Sequence, residues 1–384
     1  MAYVAVSGGR EAIEESIKLL DYYRSGTDKD VDTEAIEHKL SLLVDRVMGE
    51  AGLYAKRYAA LALKQCEGSM EEAVFLLRAY RSTLTRNYYT DTVDTGEMRV
   101  LRRISAAFKD IAGGQILGAT YDYTHRLIDF GRGEEDPAAL RRAMLDMLDA
   151  QAPEEAALCP RVSDELKKEG LIDRYEPDDC RPMDVTSNLL EFPAGRGARL
   201  QTLARADTGF LSGLAYSSLR GFGQVHPTVG ELRCGYIELC VPYPGDEGES
   251  IYIGEILITE VECFNTADDN EQLKFAVGYG AVFGRNETKA ISMAVIDREL
   301  DNGGPHPAQD EEFVLTHGDS LEMNGFISHL KLPHYVTFQS KLDAVRKTRG
   351  AAAPADSPAA GGIATPAGAS APGSATASRR TGHG

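Results

Sequence analysis

No stretch of this chain approaches the roughly 20 consecutive apolar residues that a membrane-spanning helix needs, which excludes a helical span. The opening residues, Met1 to Gly9, have no basic segment followed by an apolar core, so they do not read as a secretory signal, and the expected compartment is the cytoplasm. No two cysteines form a C-x-x-C pair; the six stand at 66, 159, 180, 234, 240 and 263. They read as buried, reduced thiols rather than metal ligands or disulfides. Cations are in deficit, 41 Lys and Arg against 59 Asp and Glu, for a net charge of −18. That argues against nucleic-acid binding, which needs a positive surface to release counterions. It leaves open a small anionic ligand, which needs only a local cluster. No repeat at solenoid or propeller spacing occurs. A short strand is expected at Tyr3–Val6, then Ser7-Gly8-Gly9 and a helix over 10–24. With neither G-x-G-x-x-G nor a Walker lysine, this reads as plain connection rather than a nucleotide loop.

What is present suits a soluble protein of two domains or one large one: 384 residues, 43% of them hydrophobic. From Thr33 to Gly49 the residues Ile36, Leu40, Leu43, Val44, Val47 and Met48 share one helical face, with Thr33 as the cap. Helices are expected at 53–66 and 69–82, the second opened by a Ser69–Glu72 capping box. Another is expected over 97–109, bearing Arg99, Arg102, Arg103 and Lys109. Beyond a helix at 137–151, residues 131–198 read as an insertion or connection. A helix over 211–219 precedes strands at 231–241, 251–263 and 273–283, a helix at 288–300 capped by Asn286, and a last helix at 336–346. The expected fold class is α+β: a mainly helical region over 1–130, the variable 131–198, an α+β domain over 199–347, and a tail from 348. The tail, rich in Ala, Gly, Pro and Ser, cannot bury enough surface to offset chain entropy and is expected to be disordered.

Three groups of residues carry chemistry. His329 and His334 lie five apart around Pro333. On a helix or a strand that spacing turns the rings away from each other, whereas a bend at Pro333 brings both imidazoles to one ion. Two imidazoles are half of a tetrahedral zinc shell, so water, substrate or a second protein must complete it. The consecutive carboxylates Asp310, Glu311 and Glu312 form either a solvated turn or a site in which crowding holds a proton on one of them. Asp310 and Glu311, and more weakly Asp122, are the candidates for a general acid. Arg102, Arg103 and Lys109 are the candidates for binding an anion. Residues 111–130 gather Tyr121, Asp122, Tyr123, His125, Arg126 and Asp129 beside a double glycine, as a pocket or interface would. His306 and His317 read as ordinary loop histidines, or as third ligands in a free-standing zinc hydrolase.

Several of these blocks, in order, resemble one family. Tyr3-Val-Ala-Val6, Ala73-Val-Phe-Leu-Leu-Arg-Ala-Tyr-Arg81, the run Gly113 to Arg126, Ala308-Gln-Asp-Glu-Glu-Phe-Val-Leu315 and His329-Leu-Lys-Leu-Pro-His-Tyr-Val336 are similar to the PhnI subunit of bacterial carbon–phosphorus lyase. The resemblance covers about 1–130 and 199–347. Ala112 and Ala119 depart from it where proline is expected. It implies that the chain works with PhnG, PhnH and PhnL to replace the adenine of MgATP with an alkylphosphonate, giving α-D-ribose 1-methylphosphonate 5-triphosphate. It also implies that the chain alone acts as a nucleosidase on ATP or GTP. It further implies a core complex with PhnG, PhnH and PhnJ, with zinc held by His329 and His334 at the PhnJ interface. The alternative is a structural subunit with the chemistry elsewhere.

Overall fold

The computed structural model describes residues 9–27, 29–107, 113–149, 159–172, 182–222, 226–245, 248–269, 272–331 and 335–349. They fall into two compact units, residues 1–30 with 329–384, and residues 31–328. The first unit begins with α1 (Gly9–Arg24), none of whose residues is buried. Its apolar stripe, Ile13, Ile17 and Leu20, is exposed although it repeats at helical offsets.

The larger unit opens with α2 (Thr33–Lys39), α3 (Ser41–Ala51), α4 (Lys56–Gln65) and α5 (Met70–Ser82). These pack around Ile36, Val44, Val47, Met48, Leu63, Val74 and Leu77. The single helix expected over 33–49 is two, broken at Leu40, and Asp32 rather than Thr33 caps the first by accepting from Glu34 N. Apolar spacing reports a shared face, and both pieces bury the same face, so the break leaves no trace in the pattern. The Ser69 capping box is not formed; its hydroxyl instead meets Glu71 at 3.3 Å.

The stretch read as a cationic helix over 97–109 is strand β1 (Arg99–Ser105). Pairing with a neighbouring strand decides the conformation of Val100 and Ile104, both β-branched, over a chance helical spacing of arginines. Next come α6 (Pro137–Asp149), α7 (Val162–Lys168), α8 (Arg196–Arg205) and α9 (Thr208–Ser217), the last capped by Asp207 accepting from Phe210 N at 2.7 Å. Strands β2 (Thr228–Pro242), β3 (Ser250–Asp269) and β4 (Gln272–Phe283) complete an antiparallel four-stranded sheet in the order β1-β2-β3-β4. After it run α10 (Glu287–Asn302), α11 (Glu311–His317) and α12 (Ser320–Ser328). The smaller unit closes with α13 (Tyr335–Thr348). The fold is therefore α+β, and no described helix is long and apolar enough to cross a membrane.

The sheet has two different faces because side chains alternate along each strand. Leu232, Val261, Cys263 and Val282 look toward α10 and meet Met293, Ala294 and Ile296 in the main core. Gly278 and Gly280 let the helix backbone come close on this side: a Cβ at Gly278 would sit 2.1 Å from Ala294 O. The other face carries charges. The Tyr3–Val6 strand and the tail beyond residue 350 lie outside the described residues.

Candidate functional site

The charged face is built by register. Arg103 on β1 pairs with Arg233 on β2, Arg233 with Glu260 on β3, Glu231 with Glu262, and Glu262 with Tyr279 on β4. A surface sheet would leave this row in water, but the segment around Pro160–Ser163 closes over it. Arg103, Glu231 and Arg233 are at most 2% exposed.

Arg103 Nε meets Glu231 Oε1 at 2.5 Å, and Arg233 Nε lies 3.3 Å from Glu260 Oε1. Glu231 Oε2 also accepts from Val162 N, and Tyr279 donates its hydroxyl to Glu260 Oε2 at 2.9 Å. Among the described residues Glu262 forms no ion pair and accepts only from Ser163 Oγ, at 2.7 Å, and its Oε2 is buried without a partner. Burial foremost, with Glu260 and Glu231 adding repulsion, pushes the Glu262 carboxyl up to about 7. Burial raises Glu260 as well, and burial together with Glu260 holds the Tyr279 phenol well above its usual value. The row is thus two ion pairs plus one carboxyl that keeps its proton into the neutral range. A cavity of about 750 Å³ opens on the same face, lined by Val162, Thr228, Phe264 and Phe275.

Glu262→Gln checks this assignment. The folded-state value lies above the ordinary 4.5, so the native state binds the extra proton. The stability Glu262 contributes is full below about 4.5 and is lost as pH rises through about 7. Glu262→Gln is expected to gain about 2 kcal/mol on wild type between pH 5.5 and 8, since each unit is worth about 1.4 kcal/mol. Urea unfolding at the two pH values measures it, and a difference that does not move with pH contradicts the assignment.

The residues singled out from the sequence are dispersed. Consecutive on β1, Arg102 and Arg103 point to opposite faces. Arg102 pairs with Glu287 at 2.6 Å and Asp122 at 2.5 Å and donates to Leu117 O; both guanidiniums are engaged internally. Lys109 lies outside the described residues. Asp310 faces solvent and caps α11, accepting from Phe313 N at 2.9 Å, while Glu311 accepts from Ala194 N. The structure does not bring these carboxylates to the arginines of β1. His306 Nδ1 accepts from Ala308 N, and His317 stacks on Phe313 with ring centres 4.7 Å apart. Tyr121, Tyr123 and Ile128 in the polar aromatic run are exposed.

His329 opens a 3₁₀ turn, His329–Lys331, and is half-buried; His334 and Pro333 lie outside the described residues. Among the described residues no three His, Cys, Asp or Glu side chains stand close enough to share a metal ion. Elsewhere a cavity of about 310 Å³ is lined by His38, Asp45, Lys56, Tyr236 and Arg285. Burial raises the Asp45 carboxyl there, against the pull of the Arg285 amide and guanidinium.

The charge row escaped sequence reading although its signal was present. Glu231-Leu-Arg233-Cys and Glu260-Val-Glu262-Cys alternate polar with apolar residues. Alternation of that kind normally marks a solvated face.

The chain matches the family described as "Bacterial phosphonate metabolism protein (PhnI)" over residues 2–352. It is 46% identical over 357 residues to "Alpha-D-ribose 1-methylphosphonate 5-triphosphate synthase subunit PhnI" of Escherichia coli, covering 90% of this chain and 98% of the relative. The protein of the same name from Rhizobium meliloti is 45% identical over 358 residues, covering 90% and 95%. HtxH of Stutzerimonas stutzeri is 45% identical over 363 residues, covering 91% and 96%.

Proposed function

The chain belongs to the PhnI family of bacterial phosphonate metabolism proteins, and on that footing we propose that it is a subunit of a ribose 1-methylphosphonate 5-triphosphate synthase in a carbon–phosphorus lyase system. The observation that carries this reading is the 45–46% identity, over nine-tenths of the chain, to two proteins bearing that name. In the proposed reaction an oxygen of the alkylphosphonate forms a bond to the anomeric carbon of MgATP. The bond to the purine nitrogen breaks, and its electron pair leaves with adenine, which takes up a proton. Such a substitution passes through an oxocarbenium-like state, as in glycoside hydrolysis.

The protein must supply a proton for the base, a hold on the triphosphate and exclusion of water. Asp310, which faces solvent, and the half-buried Glu311 are the proposed donors. With water in place of the phosphonate, the same step is a nucleosidase reaction, which is the activity proposed for the isolated chain on ATP or GTP. PhnG, PhnH and PhnL are the proposed partners for transfer, in the cytoplasm.

We extend the proposal to zinc held by His329 and His334 at an interface with PhnJ. The donor chemistry supports it: two neutral imidazoles are half a zinc shell. Neighbours in the sequence also support it, since Leu330, Val336 and Phe338 are exposed apolar residues. Such a zinc would supply Lewis acidity when bound. Metal analysis of the purified complex carrying His329→Ala with His334→Ala is expected to show zinc reduced to background, and zinc at the wild-type level would remove the site. The catalytic reading itself is tested by chromatography of the base. The protein with MgATP is expected to release adenine; none released, alone or with its partners, leaves a structural subunit.

A further inference from the structure

Two buried guanidinium nitrogens, one on each of two neighbouring arginines, lack a hydrogen-bond acceptor among the described residues. Arg78 and Arg81 project from the last turns of α5, inside one of the blocks that carries the family resemblance, and Arg205 ends α8. All three gather at the C-terminal end of α3. Arg78 is fully engaged there: Nη1 pairs with Asp319 at 2.5 Å, Nε and Nη2 donate to Glu50 O, and Nη2 reaches Arg205 O. The pull of helix carbonyls on a cation explains its place.

That explanation does not extend to the other two. Nη1 of Arg81 and Nε of Arg205 are buried and meet no hydrogen-bond acceptor. Both converge on Gly52, which ends α3 in the left-handed region at φ 66°. A Cβ there would come within 3.1 Å of Arg81 Nη1 and 3.4 Å of Arg205 Nε, so both guanidiniums lie close against this glycine. Arg86, the next cation along, is committed to Asp184 and Thr186. Burial first, then Arg78 and Arg81, push Arg205 down to about 10 against a partial pull from Asp319 and Asp184, and burial with Arg78 and Arg86 lowers Arg81 against Asp184. Like charges held side by side with open N–H donors are a cost that an anion between them would remove. Arg81 and Arg205 are each only half-buried, so the pair remains reachable from solvent.

We propose that Arg81 and Arg205, braced by Arg78, form an oxyanion site for the phosphoryl tail of a nucleoside triphosphate. Guanidinium forks match tetrahedral oxyanions bidentately, which is the geometry two adjacent arginines provide. The choice of ligand rests on the proposed synthase function; the oxyanion chemistry does not. It also supplies what Arg102 and Arg103 do not, because those are neutralised by Glu287, Asp122 and Glu231.

The test is calorimetric titration of the full chain with tripolyphosphate, and separately with methylphosphonate, for wild type, Arg81→Gln, Arg205→Gln and the double variant. Wild type is expected to bind tripolyphosphate, the single variants at least tenfold more weakly, and the double variant not measurably. Without ligand, the variants are expected to melt no lower than wild type, because they lose a charge that Asp319 and Asp184 offset only in part. Binding of methylphosphonate alone, lost in the same variants, would keep an oxyanion site but overturn the triphosphate assignment. No binding of either anion by wild type, or single variants within twofold of it, overturns the proposal. If the double variant does not fold, the singles decide. The outcome is separable from the synthase reading: loss of adenine displacement with tripolyphosphate binding intact removes that reading and leaves the site.

Discussion

Gly278→Val is expected to abolish the folded state of residues 31–328, and Gly278→Ala to destabilise it by about 3 kcal/mol or more, at or above the usual cost of overpacking a core. A Cβ at this position would lie 2.1 Å from Ala294 O and 2.4 Å from Arg298 Cγ. The first of these is helix backbone and cannot rotate aside. To make room, α10 would have to lift off β4, opening the cluster of Val261, Cys263, Met293, Ala294 and Ile296 to water. Gly213 in α9 is the control, since a Cβ there meets nothing within 4 Å. Gly213→Ala should be neutral or stabilising by up to about 1 kcal/mol. Urea unfolding followed by circular dichroism measures both, and a Gly278→Ala protein within about 0.5 kcal/mol of wild type would contradict the close approach.

Arg103→Met is expected to cost about 3–5 kcal/mol, the range for a buried carboxylate left without its cation. Glu231 is buried like Arg103 and, among the described residues, would keep only the Val162 amide as a partner. Adding Glu231→Gln to Arg103→Met removes the orphaned charge while leaving an acceptor for that amide. The double variant should therefore recover at least half of the loss, although it carries one substitution more. A double-mutant cycle reads the coupling directly. Strict additivity would mean that the pair is solvated and that the charged face is not closed.

Both effects sit on a sheet whose strands were legible and whose burial was not. The runs at 231–241, 251–263 and 273–283 stood out because β-branched and apolar residues alternate there between turn signals, and β2, β3 and β4 lie over them. Alternation says that a strand has two faces; it does not say whether the polar face is covered. The cover comes from Pro160–Ser163, within a stretch whose scattered charges and prolines read as connection. Arg99, Arg102 and Arg103 fall at helical offsets, whereas the strand conformation of β1 depends on β2, far away in sequence. The histidine pair was visible as a motif around a proline, but its geometry lies with His334, beyond the described residues. Arg81 and Arg205 left no signal together, since the fold alone joins α5 to the end of α8.

The proposed role of this chain in displacing a purine from MgATP by a phosphonate is open to direct measurement. Phosphorus NMR of the chain reconstituted with its proposed partners, given MgATP and methylphosphonate, tests it most directly. The expected result is adenine released in step with a new phosphonate ester signal on a ribose that keeps its triphosphate. Unchanged MgATP and free methylphosphonate in the complete mixture would contradict it.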